Sequence, residues 1–191
     1  ARGINNVGFL TGIAAISAGG VHTLALGTNG IVYASGRNGS GELGNGTTTN
    51  SFTYTPCVNV PANIIAISAG GYFGSNTGFS LALRNDGTVW AWGDNSGGTL
   101  GNSTNVNTLT VTQVSGLTGI NSINAGWEHC HATKNDGTKW AWGMNGYGQL
   151  GDGTITDRLA PVQTLLSCPA KVTPPECKLL LTDKAVTNGQ N

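Results

Sequence analysis

The sequence predicts an all-β protein assembled from three repeated units of short antiparallel strands. Three observations predict it. One long pattern occurs three times, anchored at Ile16, Ile67 and Ile123, which lie 51 and 56 residues apart. Each copy places Asn-Gly or Asp-Gly between two alternating apolar stretches, the signal of a hairpin whose turn needs φ > 0. No stretch has an amphipathic helical period with caps.

The elements follow in order. Val7-Gly-Phe-Leu-Thr-Gly12 resembles Val114-Ser-Gly-Leu-Thr-Gly119, so the chain enters on the link that elsewhere joins two copies. In the first copy, His22-Thr-Leu-Ala-Leu26 alternates as a strand does, Thr28-Asn-Gly30 turns the chain, and Ile31-Val-Tyr-Ala-Ser35 returns it. The second copy repeats this with Ser80-Leu-Ala-Leu83, Asn85-Asp-Gly87 and Thr88-Val-Trp-Ala-Trp92. It also carries a six-residue insertion that begins at Tyr72 and Phe73. In the third copy, His129 and His131 share one face of a strand and Cys130 takes the other. Asn135-Asp-Gly137 and Thr138-Lys-Trp-Ala-Trp142 follow. Each unit ends in a glycine-rich loop, G-x-N-x-x-G-x-L-G, with members Gly36, Asn38, Gly41, Leu43 and Gly44 in the first copy. Ala160-Pro-Val-Gln-Thr164 reads as an exit strand, after which the pattern stops. Three of the six prolines then fall between Cys168 and Cys177, and Leu179-Leu-Leu-Thr182 reads as one more short strand.

Units of this length with a few short strands suggest propeller blades. The string A-G-x-x-H, L-A-L, D-G-T-V-W-A-W-G-x-N and G-Q-L-G-D-G-T resembles the regulator-of-chromosome-condensation (RCC1) repeat, and the bacterial secreted variants of it most of all. The resemblance covers about residues 7–166 and implies three blades of an RCC1-like β-propeller. The expected division is 1–166 for the blades, with repeats at about 13–63, 64–119 and 120–166, and 167–191 for a proline-containing extension or linker. Family propellers close with about seven blades. The three here therefore imply a partial ring, completed by further sequence or by other chains.

Composition excludes several functions. Charged residues make up 9% of the 191 positions, and the formal net charge is zero. No basic surplus is present to neutralise phosphates, so nucleic acid is not an expected partner. No apolar run approaches the length of a membrane span. The opening residues ARGINNVGFL are not a signal peptide, and the chain is read as a processed product or a piece of something longer. Glycine, at 31 residues, follows no three-residue period.

Each candidate for chemistry has a plainer structural reading. His129 and His131 are two ligands without a third, and His22 matches His129 in the repeat, so a structural hydrogen bond is favoured over a metal. The Asn-Asp-Gly turns lack the spaced ligands of a calcium loop. The glycine-rich loops lack the Lys-Ser/Thr ending of a phosphate cradle. No serine sits in a nucleophile elbow, so the protein is not expected to be an enzyme and no cofactor is expected. Of the four cysteines, Cys168 and Cys177 flank a short loop and are the expected disulfide; Cys57 and Cys130 remain open, either as a second bridge or as buried thiols. Trp90, Trp92, Trp140 and Trp142 repeat, which marks them as packing between blades. Trp127 stands where the other copies have Gly20 and Gly71, which marks it as an exposed aromatic.

In a repeat scaffold, binding belongs where the copies differ. The candidate rim residues are Arg37, Asp94 and Met144 at one loop position, Tyr147 at a second, and Tyr72, Phe73 and Trp127. The alternative is that these are tolerant loop positions. The expected function is a non-enzymatic binding or structural module, extracellular or on a cell surface, of a bacterial adhesin or appendage, with a protein or glycan ligand. A secreted enzyme inhibitor or regulator is the alternative. So is a self-assembling ring or filament subunit that pairs through open blade edges. An exchange factor for a nuclear GTPase is disfavoured by the low charge of the rim and by cysteines that suggest an oxidising setting.

Overall fold

The computed structural model describes residues 9–75 and 77–167. Twelve strands among them form three four-stranded antiparallel sheets, each a simple meander. The first sheet is β1 (Ile13–Ala18), β2 (His22–Gly27), β3 (Val32–Gly36) and β4 (Ser51–Pro56). The second is β5 (Ile64–Gly70), β6 (Phe79–Arg84), β7 (Val89–Gly93) and β8 (Thr108–Gln113). The third is β9 (Ile120–Ala125), β10 (His129–Lys134), β11 (Thr138–Gly143) and β12 (Arg158–Ser167). The all-β, blade-like architecture is the one the repeats predict. No helix of the described residues is long and apolar enough to cross a membrane.

The sheets share one register. His22 faces Gly36, Phe79 faces Gly93 and His129 faces Gly143, so every position has a counterpart in the other two sheets. The hairpin turns form for the reason the sequence gives. Gly30, Gly87 and Gly137 take φ of 79°, 79° and 86°. Asn29, Asp86 and Asp136 each accept the backbone N–H two residues on. The Asp86 and Asp136 carboxylates also accept the hydroxyls of Thr88 and Thr138, which holds both below the usual carboxylate range. Turn chemistry thus accounts for these acids without a cation.

The glycine-rich loops are organised by a buried asparagine. Asn38, Asn95 and Asn145 are fully buried. Each Oδ1 accepts the N–H of Leu43, Leu100 or Leu150, and each Nδ2 donates to the carbonyl of Thr47, Thr104 or Thr154. A polar side chain can be buried at this density because all its valences are met. Gly41 and Gly98 have a separate reason to lack a side chain. A Cβ on either would meet Leu109 or Leu159 of the following sheet within 2.7 Å.

Two apolar cores hold the sheets together. Between the first and second lie Leu24, Leu26, Val32, Leu43, Ile64, Ala82 and Trp92. Between the second and third lie Leu81, Leu83, Val89, Leu100, Ile123, Cys130 and Trp142. Polar contacts pin each interface in register. Ser17 Oγ accepts the Ala69 N–H at 3.0 Å, and Ser68 Oγ accepts that of Ala125 at 2.9 Å. Trp92 Nε1 donates to the Glu42 carbonyl and Trp142 Nε1 to that of Thr99, both at 2.9 Å. Ser80 Oγ joins the first of these carbonyls at 2.8 Å, and Cys130 Sγ the second at 3.4 Å.

The cysteines decide between two alternatives that the sequence leaves open. Cys57 and Cys130 are free and belong to different cores, so they form no second bridge. Burial raises both thiols, Cys57 to about 12, which makes them inert packing groups. Cys168 and Cys177 lie outside the described residues.

Trp92→Phe keeps most of the buried ring and removes the indole donor. It is expected to cost about 1–2 kcal/mol, and Trp92→Ala about 3–5 kcal/mol, in urea unfolding followed by far-UV circular dichroism.

Candidate functional site

Every residue singled out for binding lies along one rim of the three sheets. The segment after each inner strand is hydrogen-bonded to the loop after each third strand. Arg37 N donates to Val21 O, Asp94 N to Gly78 O and Met144 N to Glu128 O, at 2.8–3.0 Å. The insertion of the second copy and the glycine-rich loops therefore share a rim, and the Asn-Gly and Asp-Gly turns occupy the opposite one.

At this rim the inner strands of all three sheets converge. Residues 18–20, 69–71 and 125–127 line a cavity of about 440 Å³. The main chains there approach too closely for side chains. A Cβ on Gly20 would lie 2.5 Å from the Gly71 carbonyl oxygen, and Gly71 N donates to Gly126 O at 3.2 Å. At the third counterpart stands Trp127, which is 67% exposed. Its ring stacks on Tyr72, with centroids 4.7 Å apart and planes 23° from parallel. Tyr72 is positioned by the insertion, where Tyr72 N donates to Thr77 O at 3.1 Å ahead of a single 3-10 turn at Phe73–Ser75. Phe73, 75% exposed, follows it in the chain and lines the cavity on the first sheet.

The other rim residues divide. Tyr147 is almost wholly exposed, and Met144 is partly exposed beside Gly97 of the neighbouring loop. Arg37 is committed to an ion pair with the buried Glu42 carboxylate at 2.7 Å. Asp94 is buried and accepts hydrogen bonds from Ser96 and Asn107. It supports its own loop and presents no charge to a ligand. The structure thus joins Tyr72 and Trp127 into one aromatic surface, turns Phe73 to the cavity on the first sheet and buries Asp94 in its own loop.

Three further groups lie outside the aromatic stack, and the first, His22, has the structural hydrogen bond expected from the repeat. His22 is buried, with Nε2 2.8 Å from Ser80 Oγ, and desolvation lowers its pKa to about 4. His129, its counterpart, instead faces outward on the third sheet, with its ring edge-on to His131 at 5.5 Å. Desolvation lowers both of these as well, helped at His129 by the charge of His131. Among the described residues no third His, Cys, Asp or Glu joins the pair. Lastly, Thr23, Ser35, Arg37 and Asn50 line an open cavity of about 660 Å³ on the first sheet.

His22 makes stability depend on pH. Its folded pKa lies below its unfolded value near 6.5, so the unfolded chain binds the proton more tightly. Stability is therefore full above about pH 6.5 and falls as pH drops toward 4, by on the order of 3 kcal/mol for this one group. His22→Phe, which copies Phe79 of the second sheet, is expected to flatten the slope of melting temperature against pH across that window. An unchanged slope would assign the acid sensitivity to His129 and His131.

Comparison with known proteins bears on the fold and on the family. A model of the regulator of chromosome condensation (RCC1) repeat matches residues 29–75, 86–133 and 136–176, and a second model of this repeat matches residues 13–42 and 64–99. The Drosophila melanogaster regulator of chromosome condensation is 34% identical over 117 residues, which is 60% of this chain and 20% of the relative. The human X-linked retinitis pigmentosa GTPase regulator is 43% identical over 82 residues, 42% of this chain and 8% of the relative. Among solved structures, human WBSCR16 superposes with a TM-score of 0.69 at 23% identity, covering 82% of this chain and 39% of that one. Prp20p of Saccharomyces cerevisiae superposes with a TM-score of 0.70 at 21% identity, covering 81% and 38%. The chain spans a fifth or less of these curated relatives and under two fifths of these solved chains. The relatives named are eukaryotic and do not support the expected bacterial secreted variant. With the repeat matched over most of its length, the chain belongs to the regulator of chromosome condensation (RCC1) repeat family.

Proposed function

We propose that this chain is a non-enzymatic protein-binding segment of a propeller-type regulator, and that its partner docks on the aromatic rim. The observation that carries the reading is the exposed stack of Tyr72 on Trp127, where the inner strands of all three sheets converge. Large aromatic rings exposed on a rigid support are the residues that dominate protein interfaces. The scaffold beneath them is rigid because the converging backbones are in van der Waals contact.

The relatives support a regulatory protein partner. Prp20p is described together with its binding to Gsp1p and histones, and yeast RCC1 (Prp20) is solved bound to Kap60. Another relative is named a GTPase regulator. The partner that fits is a folded protein with an apolar contact surface, and a protein of the Gsp1p kind is our choice. The free thiols at Cys57 and Cys130 lend no support to the oxidising setting that set a nuclear GTPase aside. The adhesin reading finds no support among the relatives.

Titration calorimetry of the chain against Gsp1p, core histones and Kap60 tests the proposal. Binding to Gsp1p is expected, weakened roughly 30-fold or more by Trp127→Ala or Tyr72→Ala. Ile31→Ala, in a hairpin turn on the opposite rim, is expected to leave it unchanged. Binding that ignores Trp127, or binding only to glycans, would overturn it.

A further inference from the structure

Each sheet has an outer strand, β4, β8 or β12, that pairs on one side only among the described residues. A free strand edge is a row of unpaired N–H and C=O groups, and folded proteins blunt such edges with proline and charge. The shared register shows how the three edges are treated. Pro56, Gln113 and Gln163 face Tyr33, Trp90 and Trp140, which are equivalent in the repeat. Two residues earlier, Tyr54, Val111 and Pro161 correspond. So β4 lacks a donor at Pro56, and β12 lacks one at Pro161 and begins on Arg158. β8, Thr-Leu-Thr-Val-Thr-Gln, carries neither proline nor charge.

The donors that proline removes from the other edges are the outward ones. Cys57 N donates to Val32 O and Val114 N to Val89 O, both at 2.9 Å. Hydrogen bonding alternates sides along a strand, so the residue before each, Pro56 or Gln113, turns its backbone groups away from the sheet. Val111 turns the same way, in keeping with Pro161 at its place, because proline within a sheet is confined to positions whose N–H would face outward. The loop beside this edge differs too. Val106 stands where the other copies have Thr49 and Thr156, and its carbonyl accepts Asn95 as theirs accept Asn38 and Asn145. Its side chain is 67% exposed. An exposed apolar group has thus replaced a hydroxyl next to the one edge of the three that is not blunted. From Asn95 to Trp127 the chain has no charged residue.

We propose that β8 pairs antiparallel with β8 of a second copy of this chain about a two-fold axis at Thr112, joining the two second sheets into one continuous sheet. Val111 of each copy exchanges backbone hydrogen bonds with Gln113 of the other, and the two Thr112 side chains stand opposite. The strand is its own complement. Being neutral, it brings no like charges together across the axis, and its Thr and Val side chains suit the pleat of an identical strand. It offers a partner of opposite charge nothing to recognise. A two-fold contact uses the edge of both copies at once, so assembly closes at the dimer and builds no ring or filament. The inference is independent of the partner proposed for the rim, which lies at the inner strands.

Sedimentation equilibrium of the full chain from about 10 to 500 micromolar tests it. A monomer–dimer equilibrium is expected, with a Kd on the order of 100 micromolar. Val111→Pro, which copies Pro161, is expected to weaken the dimer by about 10-fold or more. Phe52→Asp, on the outer strand of the first sheet, is expected to leave it unchanged. Should Val111→Pro not fold, Thr112→Lys and Thr112→Glu take its place. Each alone is expected to be monomeric at low salt, and an equal mixture of the two is expected to dimerise. An unaltered chain that stays monomeric overturns the proposal, as does a dimer that Val111→Pro leaves intact. So does a mixture of the two Thr112 variants no more associated than either alone. Amide hydrogen exchange separates a second copy from a segment of the same chain. Protection of Val111 and Gln113 that rises with concentration is expected, and protection that ignores concentration would overturn it.

Discussion

The rest of the structure depends on one contact: an indole N–H of one sheet donating to a loop carbonyl of the sheet before it. Trp92 with Glu42, and Trp142 with Thr99, each fill an apolar core and satisfy a buried carbonyl in the same placement. That contact works only if the carbonyl is held still. The buried asparagine of the preceding loop does so by accepting the N–H of the next leucine while donating into the far side of the loop. The glycine excess follows from this geometry. The loop must turn tightly, and it must let the outer strand of the next sheet lie against it.

Much of this was legible in the sequence because it repeats. Asn-Gly and Asp-Gly turns, alternating strands and paired tryptophans are local signals, and three copies separated them from chance. What stayed illegible depended on which positions face each other across sheets. Asp94 reads as a variable loop acid, yet its loop folds over it and Asn107 donates to it. Arg37 reads as a rim anchor, yet its partner Glu42 lies five residues on and is buried. The even cysteine count suggested bridges, but Cys57 and Cys130 lie in separate cores. The aromatic rim was the readable part of the candidate site. Trp127 stood out against two glycines, and Tyr72 and Phe73 opened an insertion. Their stacking depends on the insertion folding back toward the third sheet, which no single copy encodes.

Conservatism and novelty are thus separated in space. The interfaces between sheets reuse the same few residues, since a sheet that departs from them has no partner to pack on. The rim is free to vary because its backbone is already satisfied by the pairing of its two loops. One fold can in this way keep its stack and change its partner.

The long reach of the indole contact has a consequence in time. Trp92 lies 50 residues after the carbonyl it clasps, and Trp142 lies 43 after its own. Chains fold as they emerge, amino end first. The loops of the first and second sheets are therefore complete only after the next sheet has been synthesised, and assembly there lags translation by one repeat.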